Sequence, residues 1–352
     1  MSKILVFEVE QPIGTFYLGK IQIKELKTIA YVERRNSNGK GVQRQLKENK
    51  VSDITYYCKD PDAVFPTPII LSVDGAAEIT AKFPNSGIYE ITLGEHSAEI
   101  IDGQHRFEGI KNSGLDDISL PVAIMFNLDN SAKAYIFSTI NNNQTKVDKS
   151  LIYELFDVAK ERSPYKTCHE IAKVLNTKED SAYCGKIKML EKRTSPEETL
   201  SQGTFVTHLL RLITTEANKD TIDSKNAVEI KDNRNLVFRK YFIADRDDVI
   251  VKILLNYFNA AQKVFLKEWN DERYILTKTT GYSGMIKALK ILVPYGENVG
   301  DLSQDFFVGI FAKLKAYLQL QNMGLTSDCF PSGAVGEKTL CDAITAQIQN
   351  IY

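Results

Sequence analysis

The sequence predicts an α+β protein, a mixed α/β N-terminal part followed by a mainly α-helical part. Three observations predict it. Up to about residue 148, short apolar runs alternate with helical periods. Beyond that point apolar residues fall at helical spacing with few strand signals. No low-complexity linker or repeat of about 20 to 50 residues intervenes, so the boundary is a change of pattern rather than a tether. At 352 residues the chain is comfortable for two domains, expected at 1–148 and 149–352 and packed on each other.

The elements follow in order. Residues 3–9 and 14–21 read as strands parted by a Gln-Pro-Ile-Gly turn. A helix comes next with Ile23, Leu26, Ile29 and Ala30 on one face, then a polar loop over 34–41. A second helix over 42–56 carries Leu46, Val51 and Ile54 and is closed by Pro66 and Pro68. Residues 68–73 form an apolar strand, 88–93 and 97–101 a hairpin through Gly94-Glu95, and 120–126 a further strand. Residues 131–140 read as a helix ending in an Asn-rich turn. In the second part the helical segments are 151–162, 204–217, 248–269, 282–293 and 304–321. The clearest is 248–269, where Ile250, Ile253, Leu254, Tyr257, Phe258 and Ala261 share a face.

Net charge is -1 with 25% charged residues, so no global field attracts nucleic acid, and any such contact needs a local basic face. Five cysteines without paired short spacings argue against a zinc module or a secreted disulfide framework; reduced thiols in a cytoplasm are expected. The opening Met-Ser-Lys-Ile-Leu-Val-Phe-Glu meets a glutamate too soon for a signal peptide. No apolar run nears the roughly 18 residues of a membrane span. A soluble cytoplasmic protein is expected, with enough amphipathic helix for a homodimer.

The chemistry concentrates at Asp102-Gly103-Gln104-His105-Arg106, an abrupt polar end to the apolar run Ile100-Ile101. With a strand before and a helix over 106–112 after, Gly103 sits in the turn and the following N–H groups open the helix. That geometry suits an anion. Arg106 offers phosphate a bidentate contact, Asp102 a carboxylate for magnesium or water, and His105 a pKa near neutrality for proton transfer. Each has a structural alternative: Asp102 as helix cap, Arg106 paired with Asp102 or Glu108, His105 as a satisfied half-buried ring.

Asp102 to Arg106 resembles the signature of the DGQHR-domain family, whose best-known branch is the DndB group tied to DNA phosphorothioation. Two flanking blocks extend the match. Upstream stand Gly41-Val42-Gln43-Arg44, Leu46 and Phe65-Pro66-Thr67-Pro68-Ile69-Ile70-Leu71; downstream stand Phe137-Ser138-Thr139-Ile140-Asn141-Asn142-Asn143-Gln144, Val147 and Ser150-Leu151. The resemblance covers about residues 40–155 and is weak over the C-terminal part. The pattern is also similar to defence proteins with a Gln-Arg pair and, more remotely, to the ParB and sulfiredoxin fold.

The resemblance implies a ParB/sulfiredoxin-like N-terminal domain in which Gly103, Gln104, His105 and Arg106 hold nucleotide phosphates. Gln43, Arg44, Asn141 and Gln144 would complete the pocket. It implies an NTP, ATP being the first choice, with magnesium on Asp102, and Asp102, His105 and Arg106 as catalytic residues. The function implied is nucleotide binding and hydrolysis in a DNA-modification or phage-defence system of phosphorothioate or modified-base type, with DNA and DNA-modification enzymes as partners. The alternative is a non-enzymatic DNA-binding transcriptional regulator; a nuclease has less behind it.

Lys186, Lys188, Lys192 and Arg193 are the phosphate-backbone candidates for DNA, with Arg34, Arg35 and Lys40 beside Arg44, although a solvated lysine face is the default reading of such clusters. Gly333 to Thr339 lacks the spacing and Gly-Lys pair of a P-loop. Cys168-His169 with Cys184 lacks metal-ligand spacing, and neither a Gly-X-Ser-X-Gly elbow nor a His-Glu-X-X-His helix occurs.

Overall fold

A computed structural model of the chain describes residues 1–12, 14–32, 46–75, 78–83, 86–142, 150, 162–190 and 193–348. The chain divides into two compact units, Met1–Lys146 and Val147–Tyr352. Among the described residues no helix is long and apolar enough to cross a membrane.

In the first unit β1 (Ser2–Gln11) and β2 (Gly14–Gln22) pair antiparallel. Alternation explains the strand: Ile4 and Val6 are buried, while Leu5 and Phe7 face outward. Next, α1 (Ile23–Ile29) buries Ile23, Leu26 and Ile29 and runs into the short β3 (Ala30–Tyr31). After α2 (Glu48–Tyr57) come β4 (Ile69–Val73), β5 (Glu78–Ala81), β6 (Ile88–Leu93) and β7 (Ala98–Asp102). Then α3 (Gln104–Ser113), β8 (Ser119–Phe126) and α4 (Asn130–Asn142) complete the unit. The eight strands form one sheet in the order β3-β7-β4-β8-β2-β1-β6-β5. Its parallel pairs are β3 with β7 and β4 with β8.

The hairpin expected between 88–93 and 97–101 does not form. Strand β6 pairs with β1 and β5, whereas β7 lies between β3 and β4. The link turns away from β6 at His96, whose φ is 48° and whose N–H donates to the Thr28 carbonyl at the end of α1. In the sheet order β6 and β7 are five strand spacings apart, about 24 Å if the sheet were flat. Five residue steps from Leu93 to Ala98 reach at most about 18 Å. The sheet is therefore curled, which brings both strands within reach of the link. Two strands of this unit escaped the sequence: β3 is two residues long, and β5 is exposed throughout and so shows no alternation.

One face of the sheet, carrying Leu71, Ile100, Val122 and Ile124, shares a core with Leu26 of α1 and with Phe107 and Ile110 of α3. On the opposite face α4 packs against β7. There Ser72 and Glu99 are cross-strand partners, each 1% exposed. Lys133 of α4 places its Nζ 2.8 Å from Glu99 Oε2 and 2.8 Å from Asp74 Oδ2. Burial works against its charge, but the hydrogen bonds and charges of Asp74 and Glu99 prevail, holding the Lys133 pKa above the ordinary lysine value.

The second unit is mostly helical. It contains α5 (Pro164–Thr177), the parallel pair β9 (Ile187–Lys188) and β10 (Leu200–Ser201), and α6 (Gln202–Leu210). These are followed by α7 (Ala217–Lys225), α8 (Arg239–Ile243), α9 (Asp247–Val264) and α10 (Leu266–Asn270). The last three helices are α11 (Thr279–Val299), α12 (Gln304–Leu320) and α13 (Ala334–Thr345). Two expected helices are shorter. The segment 204–217 stops at Leu210, and 248–269 breaks at Phe265, after which the indole N–H of buried Trp269 reaches the Ala182 carbonyl at 2.9 Å. Residues 151–161 of the expected helix 151–162 lie outside the described residues. All five cysteines are free thiols.

Candidate functional site

The polar segment lies where the sequence places it, at the passage from β7 into α3. Strand β7 is buried from Ala98 to Ile101 and emerges at Asp102. Gly103 follows in the left-handed region with φ 96° and ψ 11°, where a side chain is strained. A Cβ there would also stand 3.1 Å from both Arg106 Nη2 and Ile69 Cγ1. Gly103 is the N-cap of α3, and no side chain caps the helix. Its carbonyl accepts the Phe107 N–H at 2.9 Å, while the N–H groups of Gln104, His105 and Arg106 have no acceptor among the described residues. An open helix start of this kind carries partial positive charge and attracts an anion.

Asp102 does not cap the helix. Its Oδ2 accepts instead from Arg106 Nη2 at 3.2 Å. The same guanidinium donates through Nη1 to the Thr67 carbonyl and to Thr67 Oγ1, and through Nη2 to the Pro68 carbonyl at 3.1 Å. Its four Nη hydrogens thus have four protein acceptors. In this structure the guanidinium bridges α3, Asp102 and the residues that lead into β4. Glu108 pairs with Lys111 rather than Arg106.

His105 is also committed. Its Nε2 accepts the Lys47 N–H at 3.2 Å, so the proton of the neutral ring is assigned to Nδ1. Burial, helped by the charges of Lys50 and Lys47, pushes the His105 pKa below the ordinary histidine value against the opposing pull of Asp102. The Lys47 bond ties His105 to the start of α2. Further along, Thr55 Oγ1 donates to the Gly109 carbonyl at 3.0 Å, and a Cβ on Gly109 would come within 2.5 Å of Ile54 Cγ2. Contacts 47 to 105 and 55 to 109 mean that α2 and α3 run side by side in the same direction, starting at the same end. Gln104, 6% exposed, has an Oε1 without a hydrogen-bond partner.

Of the other expected site residues, Gln43, Arg44, Gln144 and Lys192 lie outside the described residues, as do Arg34, Arg35 and Lys40. Asn141 falls in the last turn of α4. Lys186 and Lys188 flank Ile187 at β9, half-buried and without an ion pair among the described residues. Arg193 donates through Nε to the Ser195 carbonyl and lies 3.7 Å from Glu272. Among the described residues no cluster of three His, Cys, Asp or Glu could hold a metal ion. Gly333 to Thr339 opens the continuous helix α13.

Sequence reasoning missed Lys47 and Lys50 beside His105, and the Glu99–Lys133 pair. A lysine next to a Gln-Arg block reads as surface charge, and the ion pair joins residues on separate elements. No spacing rule connects them.

Similar solved structures include two crystal structures of the C-terminally truncated chromosome-partitioning protein ParB from Caulobacter crescentus. The one complexed with CTP-gamma-S is 16% identical, with 64% of this chain and 98% of that chain covered and a TM-score of 0.29. The one complexed to the centromeric parS site is 15% identical, with 84% and 98% covered and a TM-score of 0.18. No curated protein matches the chain. A family model described as DndB, DNA-sulfur modification-associated, matches residues 4–244, through the sheet unit and into the helical one. On a match of that extent, the chain belongs to the DndB family.

Proposed function

We propose that the chain is the nucleotide-binding component of a DNA-modification system, taking the phosphates of an NTP at the open start of α3. One observation carries the reading: Gly103, at positive φ, leaves the Gln104, His105 and Arg106 N–H groups without protein acceptors. An anion at such a start contributes about 0.3 to 2 kcal/mol through the helix dipole alone. Magnesium, where it accompanies the phosphates, would take the Asp102 carboxylate, since such an ion is held mainly by phosphate and water. Hydrolysis of the NTP, with ATP as first choice, would then support action on DNA beside modification enzymes, and Lys186 and Lys188 are the DNA contacts proposed.

Titration calorimetry with ATP, GTP, CTP and UTP, each with magnesium, tests this. At least one should bind, and Gly103→Val, which fills the turn and strains φ, should abolish binding. Absence of binding by all four refutes the reading. Phosphate release over hours distinguishes hydrolysis from binding alone.

A second reading, a DNA-binding regulator that hydrolyses nothing, is favoured by the internal bonds of Asp102, His105 and Arg106. It predicts salt-sensitive, sequence-selective retention of promoter DNA that is indifferent to nucleotide.

A further inference from the structure

We infer that a second copy of this chain docks on the outward face of β1, β2 and β6, sheet against sheet, about a two-fold axis that runs along β1.

The first ground is the pattern of β1. Ile4-Leu5-Val6-Phe7 is an unbroken apolar run, which suits a strand covered on both sides rather than one with a solvated face. Within one copy only the inner side is covered. Ile4 and Val6 are 2% and 0% exposed, whereas Leu5 is 53% and Phe7 58% exposed. The adjacent strands extend the open side: Phe7 has Leu18 of β2, itself 36% exposed, and Ile88 of β6 as cross-strand partners, and two residues on Val9 pairs with Phe16. Cross-strand partners share a face, so these side chains form one contiguous patch. Single exposed apolar residues are ordinary, but a contiguous patch marks a contact surface.

The second ground is charge, which selects the occupant. Leu5 has Glu90 of β6 as its cross-strand partner on one side, and on the other Lys20 stands two residues past Leu18 on the same face of β2. Read across the strands, the row is acid, apolar, base. A two-fold axis along β1, midway between two stacked sheets, exchanges the ends of that row. It sets Glu90 of each copy against Lys20 of the other, Ile88 against Leu18, and Phe7 against Phe7. An axis across the strands through Phe7 would instead lay Lys20 on Phe16 and leave Glu90 without a basic counterpart. Lys20 is exposed and has no ion pair among the described residues, while Lys3 and Lys82 hold Glu90 in place at 3.3 and 3.0 Å.

The third ground is that the rim carries both signs. A lipid surface calls for a basic rim throughout, yet Glu90, and Glu78 beside Thr92, share this face with Lys3, Lys20 and Lys82. Mixed charge that a two-fold rotation matches to itself suits a copy of the same face. The contact is small. Three strands about 4.8 Å apart and five residues of about 3.3 Å span roughly 14 by 17 Å, well short of the roughly 800 Å² per partner of a standard interface. The dimer is therefore a reversible one, with a dissociation constant in the micromolar range.

The test is sedimentation velocity of the full chain from about 1 to about 100 μM, a range that brackets such a dimer. The wild type should pass from monomer to dimer across it. Phe7→Thr, which keeps a β-branched residue in the strand, should raise the dissociation constant at least about tenfold whatever the salt. Lys20→Glu sets like charges against each other and should raise it about fivefold in about 0.05 M salt and much less in about 0.5 M. Both side chains are exposed, so dilute variants should melt as the wild type does. A wild type that stays monomeric at about 100 μM overturns the inference, and so does a dimer that Phe7→Thr leaves unchanged. A dimer weakened by Phe7→Thr but indifferent to Lys20→Glu overturns the axis along β1.

Discussion

Removing the Arg106 guanidinium should destabilise the first unit before it does anything else. In Arg106→Ala the Thr67 carbonyl, Thr67 Oγ1, the Pro68 carbonyl and Asp102 Oδ2 all lose their donor. Hydrogen bonds to a charged group are each worth about 1.5 to 3 kcal/mol when fully buried. The Arg106 and Asp102 side chains are 20% and 26% exposed, so water replaces part of what is lost and the ion pair itself is worth at most about 1 kcal/mol. A net loss of about 3 kcal/mol is expected, which for a unit the size of Met1–Lys146 lowers Tm by roughly 6 to 12 °C. Arg106→Lys should recover only a minor part, because an ammonium cannot serve acceptors on both sides of the fork. The single tryptophan, Trp269, lies in the second unit, so its fluorescence follows that unit while far-UV circular dichroism also records the sheet. The early transition should appear in dichroism and be absent from fluorescence. An Arg106→Ala protein that melts within about 1 °C of wild type yet loses nucleotide affinity tenfold would refute the bridge and restore the phosphate contact.

The remaining predictions concern the neighbouring helices and the far face of the sheet. His105 should titrate below the ordinary histidine value of about 6.5 by NMR; since the unfolded chain then binds the proton first, its contribution to stability falls as pH drops below about 6.5 and stops falling below the depressed folded value. Gly109→Val places carbon where Ile54 Cγ2 and the Val51 carbonyl already stand, and should cost about 1 to 3 kcal/mol in urea denaturation by prising α2 from α3. Lys133→Met strands the Glu99 carboxylate at 1% exposure and should cost about 3 to 5 kcal/mol, most of it recovered when Glu99→Gln is added. In the wild type the Lys133 contribution is complete below about pH 10 and is lost only as pH rises through its elevated pKa.

Alternation and helical period made most elements legible. Ile4 and Val6 against Leu5 and Phe7 announce β1, and Ile23, Leu26 and Ile29 announce α1. Pairing between strands was not legible: Gly94-Glu95 has the composition of a hairpin turn, and only the His96 bond to Thr28 and the curl of the sheet send β7 elsewhere. At the site, position could be read, and so could the local Arg106–Asp102 pair four residues apart. Gly103 stands in the turn because only glycine tolerates that φ at that packing distance, a constraint a sequence displays directly. The other partners of Arg106, and the partner of His105, come by contrast from Thr67, Pro68 and Lys47, distant along the chain.

That difference bears on how the site works. A guanidinium and an imidazole beside a helix start invite the view that both face the ligand, yet here each is occupied in holding an element in place. Arg106 ties the approach to β4 to the end of β7, and His105 ties the start of α2 to the start of α3. The N–H groups of Gln104, His105 and Arg106 have no acceptor among the described residues, while the charged side chains nearest them have partners of their own. Had Arg106 been unpaired, its side chain would be mobile and would lose rotamer entropy on binding, a loss of up to about 2 kcal/mol that the fixed N–H groups do not incur. Under the proposed reading, the phosphates would therefore meet a preorganised backbone rather than a mobile guanidinium. Substitution of Arg106 or His105 should accordingly alter the fold first and any binding as a consequence.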